Sequence, residues 1–149
     1  MSLLSGSCSA EVEFSIERCW SLVADIARAP KWQRMLDRVD VVERDDRGRA
    51  LICDTVIEAK VTKVNCRVRM SYEEPVALRW TLVGDGPVDS MDGSWKLEPL
   101  AAARTRATYS LTVDPGNTGF VARRLESMLR PILIGHQADE LARALGSGI

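Results

Sequence analysis

Lys63-Val64-Asn65-Cys66-Arg67-Val68-Arg69-Met70-Ser71-Tyr72 alternates without interruption. Val64, Cys66, Val68, Met70 and Tyr72 fall on one side, and Lys63, Asn65, Arg67, Arg69 and Ser71 on the other. A period of two is the geometry of a β-strand, so this stretch predicts a strand with one face in a core and one in water. The same texture of short alternating runs extends in both directions, from Arg38 to Val113. It predicts six consecutive strands, roughly Arg38 to Arg44, Ala50 to Ala59, Lys63 to Tyr72, Leu78 to Val83, Asp89 to Leu97 and Arg106 to Val113. The breaks carry turn chemistry: Asp45-Asp46-Arg47-Gly48, Glu74-Pro75, Gly84-Asp85-Gly86-Pro87 and the region from Pro99 to Ala103. Connections this short make neighbouring strands antiparallel partners.

Upstream, Glu11-Val12-Glu13-Phe14 alternates as well, so a first strand is expected from Ala10 to Phe14, after a loose N-terminal segment over residues 1–9. Ser15 then offers a helix N-cap, with Glu17 in the first turn, where the helix dipole favours a negative charge. Ile16, Cys19, Val23 and Ile26 recur at helical spacing until Pro30 interrupts. A second short helix is expected from Trp32 to Leu36. Downstream of Asp114-Pro115-Gly116 the pattern is helical from Thr118 to Leu145. Its apolar stripe runs through Val121, Leu125, Met128, Leu129 and Ile132, and Pro131 with Gly135 predicts a kink between Arg130 and His136.

A chain of 149 residues fits a single domain spanning residues 1–149 and buries ~70% of the surface it exposes when unfolded. The 20 basic and 21 acidic residues spread evenly along it, so no basic face points to a nucleic-acid partner. No apolar run is long enough to cross a bilayer, and the N-terminus lacks the pattern of a secretory signal, which leads to the expectation of a cytoplasmic protein. Cys8, Cys19, Cys53 and Cys66 are widely spaced without a CxxC, and His136 is the only histidine. Reduced thiols are expected, with no zinc site and no cofactor. Any Ser-His-Asp or Cys-His arrangement would rest on His136 alone, without GxSxG, and no glycine-rich phosphate loop is present.

The order of elements, strand, two short helices, six antiparallel strands and one long helix, is a helix-grip arrangement of the α+β class. A curved seven-stranded sheet would wrap around the final helix and leave a cavity between them. The chain resembles the SRPBCC/START-like superfamily of START-related lipid-transfer domains, polyketide cyclases/dehydrases, coenzyme-Q-binding proteins and birch-pollen-allergen-like proteins, from about Ala10 to Leu145. Three stretches carry the resemblance. Cys19-Trp20-Ser21-Leu22-Val23-Ala24-Asp25 with Pro30-Lys31-Trp32 is similar to the family's first helix and the Pro-Trp that follows. Leu78-Arg79-Trp80-Thr81-Leu82-Val83, leading through Asp92-Gly93-Ser94-Trp95 to Leu97-Glu98-Pro99, is similar to the polyketide-cyclase branch, as is Arg104-Thr105-Arg106-Ala107-Thr108-Tyr109. The scaffold hosts carriers, enzymes and regulatory modules, so it implies where a ligand sits and leaves open what happens to it.

If the apolar face lines such a cavity, its expected wall is Val64, Cys66, Val68, Met70, Tyr72, Trp80, Trp95, Leu97 and Tyr109, with Met128 and Ile132 facing them and Trp32 at the mouth. Taken singly, each of these residues reads first as core packing. As a set, the tryptophans and tyrosines bring polar tips that need partners, which suits a hydrophobic ligand carrying one or two oxygen atoms. Tyr72, Tyr109 and His136 are the candidate proton donors if the chain is an enzyme. Histidine suits proton transfer near neutral pH, but His136 falls just past the expected kink and is read first as a structural or solvated residue. Asp54 is read as a surface carboxylate, because an unpaired buried charge is costly. Three readings follow: a carrier of a lipid, isoprenoid or polyketide-like molecule, a polyketide cyclase/dehydratase-like enzyme using the same cavity, and a protein-interaction module like the ribosome-associated members of the coenzyme-Q-binding branch. Transient membrane contact is compatible with the first, although the near-zero net charge lends it no electrostatic support.

Overall fold

A computed structural model describes residues 4–59, 62–86, 88–114, 116 and 136–148. Among them, seven strands form one antiparallel sheet: β1 (Leu4–Val12), β2 (Leu36–Arg44), β3 (Ala50–Ala59), β4 (Thr62–Glu73), β5 (Ala77–Leu82), β6 (Ser90–Ala101) and β7 (Arg104–Asp114). Their order is β1-β7-β6-β5-β4-β3-β2, so only β1 is placed out of sequence, beside the last strand. Between β1 and β2 lie α1 (Ile16–Val23) and a 3-10 helix (Ile26–Lys31), and α2 (Gln137–Ser147) follows the sheet. This is the helix-grip order expected from the sequence. The expected stripe through Val121, Leu125, Met128, Leu129 and Ile132, and the kink at Pro131, lie outside the described residues.

The alternation in β4 is realised as read: Cys66, Val68 and Met70 are buried, Val64 and Tyr72 are half-buried, and the intervening side chains are exposed. Asp54 lies on the outer face, directly across from Arg67, which grips both its carboxylate oxygens at 2.7 and 3.0 Å. On the same face Glu11 accepts from both Arg104 and Arg106. Register shifts at Leu36/Arg38 and Val41/Glu43 mark bulges that let the β2–β3 end of the sheet curl.

Four expectations are corrected. Residues 4–9, expected to be loose, are paired strand: β1 runs Leu4↔Val113 to Val12↔Thr105. Ser5 and Ser9 meet Thr112 and Thr108 there at 3.1 and 2.8 Å, so residues that read as loop are held by cross-strand hydroxyl pairs. The helix stripe ends at Val23, well before Pro30, because Asp25 (φ −86°, ψ 73°) leaves helical geometry and the chain restarts as the 3-10 helix that contains Pro30. The expected helix from Trp32 to Leu36 is instead a strap, residues 32–35, closed by Leu36 N donating to Gln33 O. Pro99, expected in a turn, lies inside β6. Leu97 N points toward the β5 side, to Val76 O, and Pro99 N points the same way, beyond the last β5 pair at Ala77↔Lys96, so no ladder bond is lost.

Ser15 caps α1 as expected, accepting from Arg18 N at 3.2 Å. Cys19, Leu22 and Val23 on α1, and Leu141, Ala144 and Leu145 on α2, share one core with the inward face of the sheet, and α2 rests on β1 and β7. All four cysteines are free thiols, and Cys19, Cys53 and Cys66 are buried. Burial pushes the Cys53 thiol up to about 11, which leaves it packed and inert.

Candidate functional site

On the inward face, β2–β7, the end of α1, the 3-10 helix and the strap line a partly open cavity of about 50 Å³. Five of the residues expected to line it do so: Val68, Met70, Trp80, Trp95 and Tyr109. The aromatic wall is contiguous. Trp95 meets Tyr109 edge-on at 5.1 Å between ring centroids, Trp80 lies 5.7 Å from Tyr109, and Trp32 backs Trp95 at 5.9 Å. Trp80 covers Gly93, its partner across β5–β6, and a Cβ at that glycine would overlap the indole ring. The glycine therefore sets the position of the ring that borders the cavity.

The rest of the lining was missed: Val23, Ile26, Gln33, Met35, Leu36, Thr55, Ile57, Leu78, Met91 and Leu111. Alternation assigns a residue to a face and says nothing of which part of that face stands away from its cover. Trp32, Val64, Cys66 and Leu97, which were expected to line the cavity, pack in the surrounding core instead. Trp32 is buried behind the wall, and its Nε1 has no hydrogen-bond partner among the described residues. Met128 and Ile132 lie outside the described residues.

The three candidate proton donors separate cleanly. His136 is exposed at the N-terminus of α2, its carbonyl accepting from Glu140 N, and it is not among the residues lining the cavity. Tyr72 is committed elsewhere: its hydroxyl donates to Ala50 O at 2.6 Å, Trp20 meets its ring edge-on, and the Arg49 guanidinium lies 4.5 Å above it. Burial pushes its pKa up to about 12. Only Tyr109 reaches the cavity. It is 1% exposed, and burial, reinforced by Cys8 across the strand pair, holds its pKa far above the ordinary tyrosine value. The upward shift keeps the Tyr109 hydroxyl protonated near neutral pH, where it can donate a hydrogen bond.

The strap closes the cavity from one end and is fastened from outside. Buried Glu140 on α2 accepts from Arg34 N at 3.0 Å, Gln137 Nε2 donates to Met35 Sδ at 3.2 Å, and Glu58 N donates to Met35 O. Cavity lining and α2 are thus one mechanical unit.

A seven-stranded antiparallel sheet closed by helices over an internal apolar cavity defines the class: a helix-grip domain of the START-like kind. The chain belongs to the polyketide cyclase/dehydrase and lipid transport family, whose model matches residues 12–133. Comparison with curated proteins finds none that matches. Solved structures share the fold. A START superfamily protein from Mycobacterium smegmatis is similar at 19% identity over 97% of this chain and 99% of that one, with a TM-score of 0.78. The Zhui aromatase/cyclase from a Streptomyces species is similar at 12% identity over 97% and 94%, with a TM-score of 0.84. A Thermus thermophilus protein follows at 16% identity over 97% and 99%, with a TM-score of 0.76.

Proposed function

We propose that the chain acts as a single ligand-binding domain that holds a small hydrophobic molecule, such as a lipid, isoprenoid or polyketide-like compound, in the cavity between the sheet and its helical cover. The observation that carries this reading is the wall itself, in which Trp80, Trp95 and Tyr109 adjoin Met35, Met70 and Met91 around one cavity. A space of about 50 Å³ holds a few water molecules at most, so a ligand enters by displacing lining side chains. The three methionines make that inexpensive, since an unbranched thioether repacks through several rotatable bonds.

Binding is favoured over turnover because, of the three candidate proton donors, His136 is exposed and does not line the cavity and Tyr72 is bonded to Ala50 O, which leaves Tyr109 alone in the wall. The free, buried thiols fit a reducing compartment such as the cytoplasm. The test is organic extraction of natively purified protein followed by mass spectrometry, run beside Met70→Trp, which fills the cavity. A stoichiometric apolar compound in the parent protein and its absence from the variant are expected. Equal retention by both would place the ligand elsewhere and overturn the reading.

A further inference from the structure

Two side chains in the cavity wall have polar ends that make no hydrogen bond among the described residues. Tyr109 and Gln33 are 1% and 6% exposed, and both line the cavity. Among the described residues no hydrogen bond is made by the Tyr109 hydroxyl or by the Gln33 carboxamide. The neighbouring polar groups differ in this respect: Thr55, also in the lining, donates to Cys66 O at 2.9 Å. Gln33 is not placed by accident of a loose loop, because its backbone N donates to Ala29 O and its carbonyl accepts from Leu36 N, which fix the residue from both sides. Polar groups in protein interiors are paired in the great majority of cases, and an unpaired one that borders a cavity is open to a partner entering that cavity. A ligand that displaces water from such groups keeps its affinity only if its own atoms make the same bonds.

We propose that Gln33 and Tyr109 are specificity residues that together read two oxygen atoms at separate points of an otherwise apolar ligand, one from the strap and one from β7. The assignment rests on the cavity being the ligand site and adds the polarity of the ligand. Both groups are neutral, and each can donate and accept, so they match carbonyl or hydroxyl oxygens. An apolar ligand with no oxygen leaves both groups desolvated and unpaired, which is the situation that discriminates most strongly in buried sites.

Calorimetric titration with 2,6-dihydroxynaphthalene, 2-naphthol and naphthalene tests this on the parent protein and on Gln33→Leu, Tyr109→Phe and the double variant. Gln33→Met is a second choice if leucine disturbs the strap. The parent is expected to prefer the two-oxygen probe over naphthalene by roughly tenfold or more, and each single variant to lose about tenfold for that probe, on the scale of one hydrogen bond. Naphthalene affinity is expected to stay level or rise, and the double variant to lose the preference altogether. Binding of all three probes with equal affinity, or a preference untouched by the variants, would overturn the two-point assignment while leaving the cavity as the site. Failure of every probe to bind would instead remove the cavity as the ligand site, and the assignment with it.

Discussion

Tyr72 and Tyr109, the chain's two tyrosines, sit on the inward face of the same sheet, yet their surroundings differ in kind. Around Tyr72 the polar groups pair with one another. Its hydroxyl donates to Ala50 O, Trp20 Nε1 donates to Glu74 at 2.9 Å, and Arg49 bonds Asp45 while covering the Tyr72 ring. Around Tyr109 the rings are packed as closely, but among the described residues Trp32 Nε1 is buried without a partner, and the polar ends of Tyr109 and Gln33, in the cavity lining, make no hydrogen bond. A closed hydrogen-bond network fastens one end of the fold, whereas an incomplete one in an apolar wall is a place prepared for another molecule. Residue type alone does not separate the two; the partner atoms do.

The largest test breaks the wall. Trp95→Ala removes a ring that contacts Trp32 and Tyr109 at 1% exposure and is expected to destabilise the fold by ~3–5 kcal/mol. Urea unfolding measures it, and a loss under about 1 kcal/mol would mean that the aromatic wall contributes little to the core. Gly93→Ala should cost ~1–3 kcal/mol by forcing Trp80 off its seat, with a matching change in tryptophan emission. The sharpest comparison is Tyr72→Phe against Tyr109→Phe. The first loses the bond to Ala50 O and about 0.5–1.5 kcal/mol. The second loses no bond and should stay within about 0.5 kcal/mol of the parent. Equal losses would dissolve the distinction between the two ends.

The last test is optical and touches stability only in alkali. With only two tyrosines, the phenolate absorbance of the native protein should show no step near pH 10, while the unfolded chain shows both. Tyr72 ionises at about 12 in the folded state, and Tyr109 is also shifted upward. Because the folded pKa is raised, the folded state holds its proton more tightly. The resulting stability is full below pH 10 and is lost as pH climbs toward about 12. A native step near pH 10 would show that at least one hydroxyl is open to solvent.

Most of the sheet was legible because alternation reports burial directly. From β3 to β5 the expected bounds fall within a residue or so of the observed ones, and Asp54 was correctly read as a surface group. The strand over residues 4–9 was not legible: Ser5, Gly6, Ser7 and Ser9 carry no hydrophobic period, and their pairing depends on threonines a hundred residues away. The site was legible by face but not by position along the face. Cys66 and Leu97 share that face with Met70 and Trp95, yet they pack into the core away from the cavity. Gln33 was not singled out, because it falls in the short helix expected from Trp32 to Leu36, whereas the segment is a strap, fastened to α2, that carries Gln33 into the cavity wall.

The pairing of β1 with β7 also governs when this molecule can be finished. Ser9 bonds Thr108 across 99 residues and Ser5 bonds Thr112 across 107, so the first strand to be made must wait for nearly the last. Contacts this distant in sequence must overcome the full entropy of closing the loop before they return any stability, which sets a slow folding rate for the whole sheet. Until β7 leaves the ribosome, β1 and β6 are both unpaired edges, open to pairing with other chains. The hydroxyl-rich sequence of β1, with only Leu4 and Val12 as large apolar residues, keeps the waiting strand too polar to seed aggregation during that interval.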